Sequence, residues 1–127
     1  MTHPLNGYLA YLATPYTKYK PDPTAAFVCA AKLSAKLLCA GIKVYSPIVH
    51  CQPIGFYGGL DLLDHTIWLP FDEAMMAKAD VLIVAQMDGW EASKGVAYET
   101  AFFMRANKPI YDLDPSTLTM RRRAEAA

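Results

Sequence analysis

Short apolar runs alternate along the chain with longer segments of mixed polarity. Residues 24–40 and 93–107 carry apolar side chains at three- and four-residue spacing, which predicts two amphipathic helices. Apolar runs too short for buried helices, bounded by proline or glycine, are typical of strands buried on both faces. The strands predicted in this way are 8–13, 42–45, 80–86 and 109–113.

The pattern lapses over residues 48–69, where one proline and three glycines predict a long loop with a single helical turn at 60–65. A loop of this length in a compact domain is usually functional, and we expect it to form the pocket for a ligand. Pro70 suits the first turn of a further helix that runs to about Ala79. Residues 115–127 are predicted to form a helical or loosely packed tail.

Strands that alternate with helices predict one α/β domain over residues 1–127. We expect an open parallel sheet of four to five strands with helices on both faces, as in Rossmann-like and flavodoxin-like folds. Ligands of such sheets bind beyond the carboxyl ends of the strands. A site is therefore expected in the segments that follow Ala13, Tyr45, Gln86 and Leu113.

Composition and charge exclude several classes of partner. Twelve Lys and Arg residues balance twelve Asp and Glu residues, which leaves no electrostatic footprint for a long nucleic acid. The one dense basic run, Arg121 to Arg123, suits a solvated helix face or tail. The chain has neither an 18-residue apolar run nor a basic signal-peptide start, so we expect a cytoplasmic protein with no membrane partner.

Cysteine and histidine spacing gives no indication of a disulfide framework or a metal. Cys29 and Cys39 lie in a predicted helix as packing residues. His50, Cys51 and His65 fit no zinc-binding spacing, so no metal site is expected. The chain also lacks a GxGxxG motif and a Walker lysine loop, and we expect no cofactor.

Glu99 and the residues before it are the strongest chemical candidates. Glu99 shares a helix face with apolar neighbours, which indicates either a functional carboxylate or a helix-edge residue paired with Lys94 or Arg105. Ser93 and Gly95 open the same helix, where free backbone N–H groups can bind an anion. Taken alone, Ser93 is better explained as an ordinary N-cap.

Two further candidates are weaker when taken alone. Asp72 falls in the first turn of the helix predicted from Pro70, where a carboxylate is favourable for the helix dipole alone. Tyr11 lies in a predicted strand, where core packing with a satisfied hydroxyl would explain it.

Three segments carry a resemblance to a known family. They are YLATPY at residues 11–16, Asp72 eight residues before Asp80 in AKADVLIVA, and GWEASKGVAYETAFFMRANKPI at residues 89–110. On these segments the chain resembles the nucleoside 2-deoxyribosyltransferase-like family. Within that family it is most similar to small bacterial and phage members and to the nucleoside 5′-monophosphate N-glycosidases. The resemblance covers most of the chain and implies chemistry at the bond between base and sugar.

The resemblance implies a role for each candidate. Glu99, in a Gly-x-x-x-Glu motif that begins at Gly95, attacks the anomeric carbon and forms a glycosyl-enzyme intermediate. Asp72 contacts the base and assists its departure as a proton donor, which requires a raised pKa. Tyr11 orients the Glu99 carboxylate.

Ser93 distinguishes two branches of that family. Nucleoside transferases carry an aspartate six residues before the nucleophile to hold the sugar 5′-hydroxyl, whereas the monophosphate hydrolases have a serine there that contacts the phosphate. A serine at a helix N-terminus donates to phosphate, while an aspartate would repel it, so we expect a nucleoside 5′-monophosphate substrate. Thr14 and Thr17 could add phosphate contacts. The arginine of those hydrolases is missing from this loop, and Arg122 or Arg123 of a second subunit could supply its charge.

The leading hypothesis is therefore an N-glycosidase that cleaves the base–sugar bond of a (deoxy)nucleoside 5′-monophosphate without a cofactor. One alternative is a nucleoside 2-deoxyribosyltransferase that exchanges bases, and another is a nucleotide-binding or sensing module without turnover. Ser93 favours the phosphate-binding hypotheses, and Glu99 together with Asp72 and Tyr11 favours an enzyme over a sensing module. The resemblance also implies a homo-oligomer, a dimer or larger.

Overall fold

The computed structural model describes residues 4–124 and confirms the predicted α/β fold. Its single sheet has five strands in the order β2-β1-β3-β4-β5. The first four strands are parallel, and β5 is antiparallel to β4. The strands are β1 (Leu9–Ala13), β2 (Lys43–Tyr45), β3 (Val81–Ala85), β4 (Ile110–Leu113) and β5 (Met120–Arg122).

Four helices connect the parallel strands and cover both faces of the sheet. They are α1 (Pro23–Cys39), α2 (Pro47–Gly58), α3 (His65–Lys78) and α4 (Lys94–Arg105). Side chains of β1 alternate between two cores, with Leu12 packed beside Leu37 of α1 and Tyr11 packed beside Phe103 of α4. Gly41 follows α1 with a φ of +89°, as expected for the glycine that ends a helix.

The prediction of a long loop over residues 48–69 is wrong, because helices α2 and α3 occupy most of that segment. The Ser46 side chain caps α2 by accepting from the Val49 N–H at 3.3 Å, and Asp64 caps α3 by accepting from the Thr66 N–H at 3.0 Å. Only a short turn separates the helices, and the helical turn predicted at 60–65 is absent from it. The caps and the apolar content of the segment outweigh its proline and glycines.

The helix start predicted at Pro70 is also wrong, because α3 begins at His65 and Pro70 lies inside it. The far end of α3 is held from outside by the Lys108 ammonium group. Its Nζ donates to the carbonyls of Met76 at 3.1 Å, Ala77 at 2.8 Å and Ala79 at 2.7 Å. A cation at this end also complements the helix dipole.

The prediction of a helical or loosely packed tail over residues 115–127 is wrong for residues 115–124, because β5 lies along the edge of the sheet. Asp114 tightens the preceding turn by accepting from the Ser116 N–H at 2.9 Å. Arg123 donates twice to the Asp112 carboxylate, at 2.8 and 2.7 Å, so part of the basic run is an internal ion pair rather than a solvated helix face. Residues 125–127 of the predicted tail lie outside the described residues.

Several large apolar side chains of α2 and α3 face outward. Phe56 and Tyr57 are the most exposed, at 75% and 85%.

Across residues 4–124, no helix combines the length and the apolar character needed to cross a bilayer. The homo-oligomer expected from the sequence stays a prediction.

Candidate active site

A cavity of about 710 Å³ opens at the carboxyl ends of the parallel strands. Strand β1 and the N-terminal half of α4 form one side, and α2 and α3 form the other. All the candidate site residues named from the sequence line this one cavity: Tyr11, Thr14, Thr17, Asp72, Ser93, Gly95 and Glu99. Residues that are widely separated in the chain therefore meet where the fold predicts a ligand.

Glu99 is a partly buried carboxyl on the cavity side of α4. Burial raises its pKa to about 8, and the negative charge of Asp72 adds to the increase. No ion pair joins Glu99 to Lys94 or Arg105 in the part of the chain that the structure describes. The helix-edge explanation therefore fails, and the carboxyl stays available to a ligand.

Asp72 faces the cavity from the middle of α3, not from a first helical turn as the sequence had predicted. The helix dipole therefore does not explain its position. Burial raises the pKa of Asp72 to about 6. Its Oδ1 lies 4.0 Å from the Cys51 Sγ, and burial together with this carboxyl raises the pKa of that thiol to about 12. Cys51 is thus a neutral thiol beside an acidic group.

Two buried tyrosine hydroxyls adjoin the carboxyls. Tyr11 and Tyr45 are paired in register on β1 and β2, with ring centroids 5.6 Å apart. Neither hydroxyl has a hydrogen-bond partner of normal length and angle among residues 4–124. Burial and the charges of Glu99 and Asp72 raise both pKa values, so both hydroxyls remain protonated donors. The Tyr11 hydroxyl interacts with Glu99 and partly offsets the increase in that carboxyl's pKa.

The start of α4 and the loop after β1 present hydrogen-bond donors to the same cavity. The Ser93 hydroxyl caps α4 by accepting from the Val96 N–H at 3.2 Å, which leaves its own proton free to donate. Thr14 is only 5% exposed, and its Oγ1 has no hydrogen-bond partner within the described residues. Gly95 has no atom near its missing side chain except the Ser93 Oγ at 3.9 Å, so a ligand can approach the backbone there.

Sequence reasoning missed several residues that line the cavity. Lys18 and Lys94 both line it, whereas neither Arg122 nor Arg123, which were proposed as a charge source from a second subunit, lines the cavity of its own chain. The Tyr16 hydroxyl donates to the Gln52 Oε1 at 2.6 Å and fixes that amide on the α2 side. Lysines in loops and at helix starts are common on protein surfaces, so only the folded arrangement distinguishes Lys18 and Lys94.

The α2 and α3 side of the cavity is mostly apolar, as is usual in small-molecule sites. Its apolar side chains include Ile48, Leu62, Leu63, Trp68, Leu69 and Met76. The segment predicted to form the pocket therefore does line it, although as helices. Across residues 4–124, no group of three His, Cys, Asp or Glu side chains is placed to hold a metal ion.

The two carboxyls predict how stability depends on pH. Their pKa values are raised in the folded state, so the unfolded chain loses these protons at lower pH than the native protein does. The free energy of unfolding should therefore fall as pH rises from about 4 to 8, by several kcal/mol. Denaturation at a series of pH values measures this decline. Glu99→Gln should flatten it, and a Glu99→Gln variant with the wild-type slope would contradict the assignment.

Gly89 supports the loop that carries Lys18. It has a φ of +85°, and a side chain there would collide with the Lys18 carbonyl. We expect Gly89→Ala to lower the free energy of unfolding by about 2–4 kcal/mol, because backbone strain and the collision add. Gly59→Ala is the matched control, because its φ is +71° but nothing lies within 4 Å of the added carbon. Equal losses in urea denaturation would mean that the Lys18 backbone yields freely.

The chain matches a protein-family model and is similar to a solved structure. Residues 9–114 match a family model described as "Domain of unknown function (DUF1937)". Among solved structures, the solution structure of BlsM is similar, with 21% sequence identity and a TM-score of 0.61 over 86% of this chain. The match covers 66% of the BlsM chain, so the present chain spans about two thirds of its length, and the likeness shows the fold alone. No curated protein matches the sequence.

Proposed function

This chain belongs to the DUF1937 family, and we propose that it is an N-glycosidase that cleaves the base–sugar bond of a nucleoside 5′-monophosphate. One observation carries the proposal. Glu99 and Asp72, two carboxyls with raised pKa values, line the same cavity together with a protonated tyrosine donor. Environments that shift two carboxyls in this way are typical of paired nucleophilic and acid–base roles.

The proposed reaction proceeds in two steps. The Glu99 carboxylate attacks the anomeric carbon, the bond to the base breaks, and Asp72 gives its proton to the departing base nitrogen. The product of this step is a glycosyl ester on Glu99. Water then attacks the same carbon, Asp72 takes a proton from that water, and Glu99 leaves as a carboxylate. The products are a free base and a sugar 5-phosphate.

The reactive form needs one proton on the pair, and that proton must be on Asp72. In the free cavity Glu99 has the higher pKa and holds it. Donation from the Tyr11 hydroxyl favours the ionised form of Glu99 and therefore helps to move the proton to Asp72. This is the role that we assign to Tyr11 in the reaction.

The choice of a monophosphate rests on the hydrogen-bond donors that line the cavity at the start of α4 and after β1. Ser93, Thr14, Thr17 and the start of α4 offer donors and a favourable helix dipole to an anion. A free nucleoside would leave these donors unused. The resemblance of Ser93 to the serine at this position in the monophosphate N-glycosidases, where the nucleoside transferases carry an aspartate, supports the same choice.

A substrate panel tests the proposal. Purified protein is incubated with ribo- and deoxyribonucleoside 5′-monophosphates and with the free nucleosides, and the products are separated by chromatography. Release of free base from a monophosphate is the expected result. Base exchange between free nucleosides would indicate the transferase instead, and binding of a monophosphate without turnover would indicate a sensing module.

A further inference from the structure

We propose that a hydrogen bond between Tyr98 of α4 and Glu73 of α3 positions the two reactive carboxyls of the cavity against each other. The Tyr98 hydroxyl donates to the Glu73 Oε2 at 2.7 Å. Tyr98 directly precedes Glu99 in α4, and Glu73 directly follows Asp72 in α3. The bond therefore joins the two helices one residue away from each carboxyl. The inference rests on the proposed function for the reaction that the carboxyls perform.

The cavity separates α3 from α4 at the level of the two carboxyls. Asp72 lines it from α3, and Glu99 lines it from α4. Apolar packing cannot fill a space that must accept a ligand, and the buried side chains of Met76 and Phe103 lie toward the carboxyl ends of their helices. Within residues 4–124, the bond from Tyr98 is the one side-chain hydrogen bond between α3 and α4. It therefore holds the helices at a level where packing does not.

The bond acts on the geometry of the site more than on stability. Tyr98 is 37% exposed, so water competes for its hydroxyl and the bond adds little to the free energy of unfolding, as is usual for exposed charged contacts. The hydrogen bond to Glu73 raises the pKa of Tyr98, so the hydroxyl stays protonated and remains the donor. Glu73 does not line the cavity. It can act on the reaction through this hydrogen bond or through its charge, which are separable by substitution.

The spacing of the carboxyls determines how the pair works. Glu99 must reach the anomeric carbon while Asp72 reaches the base nitrogen of the same substrate, so a shift of α3 against α4 misplaces one of them. Tyr11 and Tyr45 of the sheet and Asp72 of α3 are the titratable groups that interact with Glu99. Only Asp72 would move with α3, and its effect on the pKa of Glu99 weakens with distance. Loosening the helices should therefore lower kcat and the pKa of Glu99 together.

A set of variants separates the hydrogen bond from the charge. Tyr98→Phe and Glu73→Ala both remove the bond, and each should lower kcat for base release about 10-fold with little change in KM. The double variant should show no further loss, because the singles remove the same contact. Glu73→Gln keeps an acceptor oxygen but loses the charge, and it should retain most of the activity. Tyr57→Phe is the matched control, because Tyr57 is exposed on α2 and does not line the cavity.

A carboxyl titration followed by ¹³C NMR gives a readout that needs no turnover. The pKa of Glu99 should fall below its wild-type value in Tyr98→Phe and Glu73→Ala and stay near that value in Glu73→Gln. An unchanged pKa in Tyr98→Phe would overturn the inference. Equal effects of Glu73→Gln and Glu73→Ala would also overturn it, since they would identify the charge as the cause.

The activity measurements add one more decisive outcome. A loss of kcat in Tyr98→Phe without a loss in Glu73→Ala would overturn the inference, because it would mean that the Tyr98 hydroxyl contacts the ligand directly. Failure of the proposed function would appear separately, as absence of base release from every monophosphate by the wild-type protein. The titration of Glu99 would still test the positioning role in that case.

Discussion

Glu99→Gln is expected to lower base release from nucleoside 5′-monophosphates by at least about 10³-fold while leaving substrate binding nearly unchanged. Glutamine keeps the size of the side chain and loses the nucleophilic carboxylate. Because Glu99 is partly buried with its pKa raised to about 8, the neutral amide should also make the fold more stable above that pH. Single-turnover kinetics and thermal unfolding at pH 9 measure the two effects.

Glu91→Gln is the matched control for this variant. Glu91 is exposed in the short turn before α4 and does not line the main cavity, so activity and stability should stay at wild-type values. A Glu99→Gln variant that retains base release would remove Glu99 as the nucleophile. A variant that loses both activity and stability would instead assign Glu99 a structural role.

Asp72→Asn is expected to lower kcat by about 10²–10⁴-fold, because asparagine cannot protonate the departing base. The loss should be smaller for substrates whose base leaves easily without a proton. Comparing a natural monophosphate with one that carries an activated leaving group measures this difference. Asp88→Asn serves as the control, since Asp88 is exposed and lies outside the cavity.

The pH profile gives a second readout for Asp72. The pair carries one proton between about pH 6 and 8, so wild-type kcat/KM should fall on both sides of that interval. In Asp72→Asn the alkaline limb should vanish. The remaining acid limb should then report Glu99 alone and lie between about pH 6 and 8, because burial still raises the pKa of Glu99 while the charge of Asp72 no longer adds to it. An unchanged bell-shaped pH profile of kcat/KM in Asp72→Asn would show that Asp72 does not titrate in the reaction.

The sheet could be predicted from the sequence because its signals are local. Val81–Ala85 is apolar throughout, which is sufficient to identify a strand buried on both faces. Helices α2 and α3 could not be predicted in this way, since Pro53 and Pro70 lie inside them. Local propensity disfavours those prolines, and the caps and tertiary packing outweigh them. Strand β5 was missed because its pairing with β4 is a contact that no local pattern encodes.

The candidate site likewise contains residues that a sequence motif identifies and residues that only the fold brings to the cavity. Glu99 and Ser93 belong to a motif, so sequence reasoning could name them. Lys18 has no motif, and only the Gly89 turn and the end of β1 bring it to the cavity. The orphan hydroxyl of Tyr45 is a property of three-dimensional burial, which no sequence pattern reports.

The apolar side of the cavity comes from one uninterrupted crossover between β2 and β3. That crossover is secured at both ends, by the Ser46 cap and by the Lys108 ammonium group on the last carbonyls of α3. A graft of residues 47–69 from a divergent relative would therefore replace one wall and leave Tyr11, Asp72 and Glu99 in place. Replacement of this one segment during evolution could therefore change which base the proposed enzyme prefers. The residues assigned to cleavage of the glycosidic bond would stay the same.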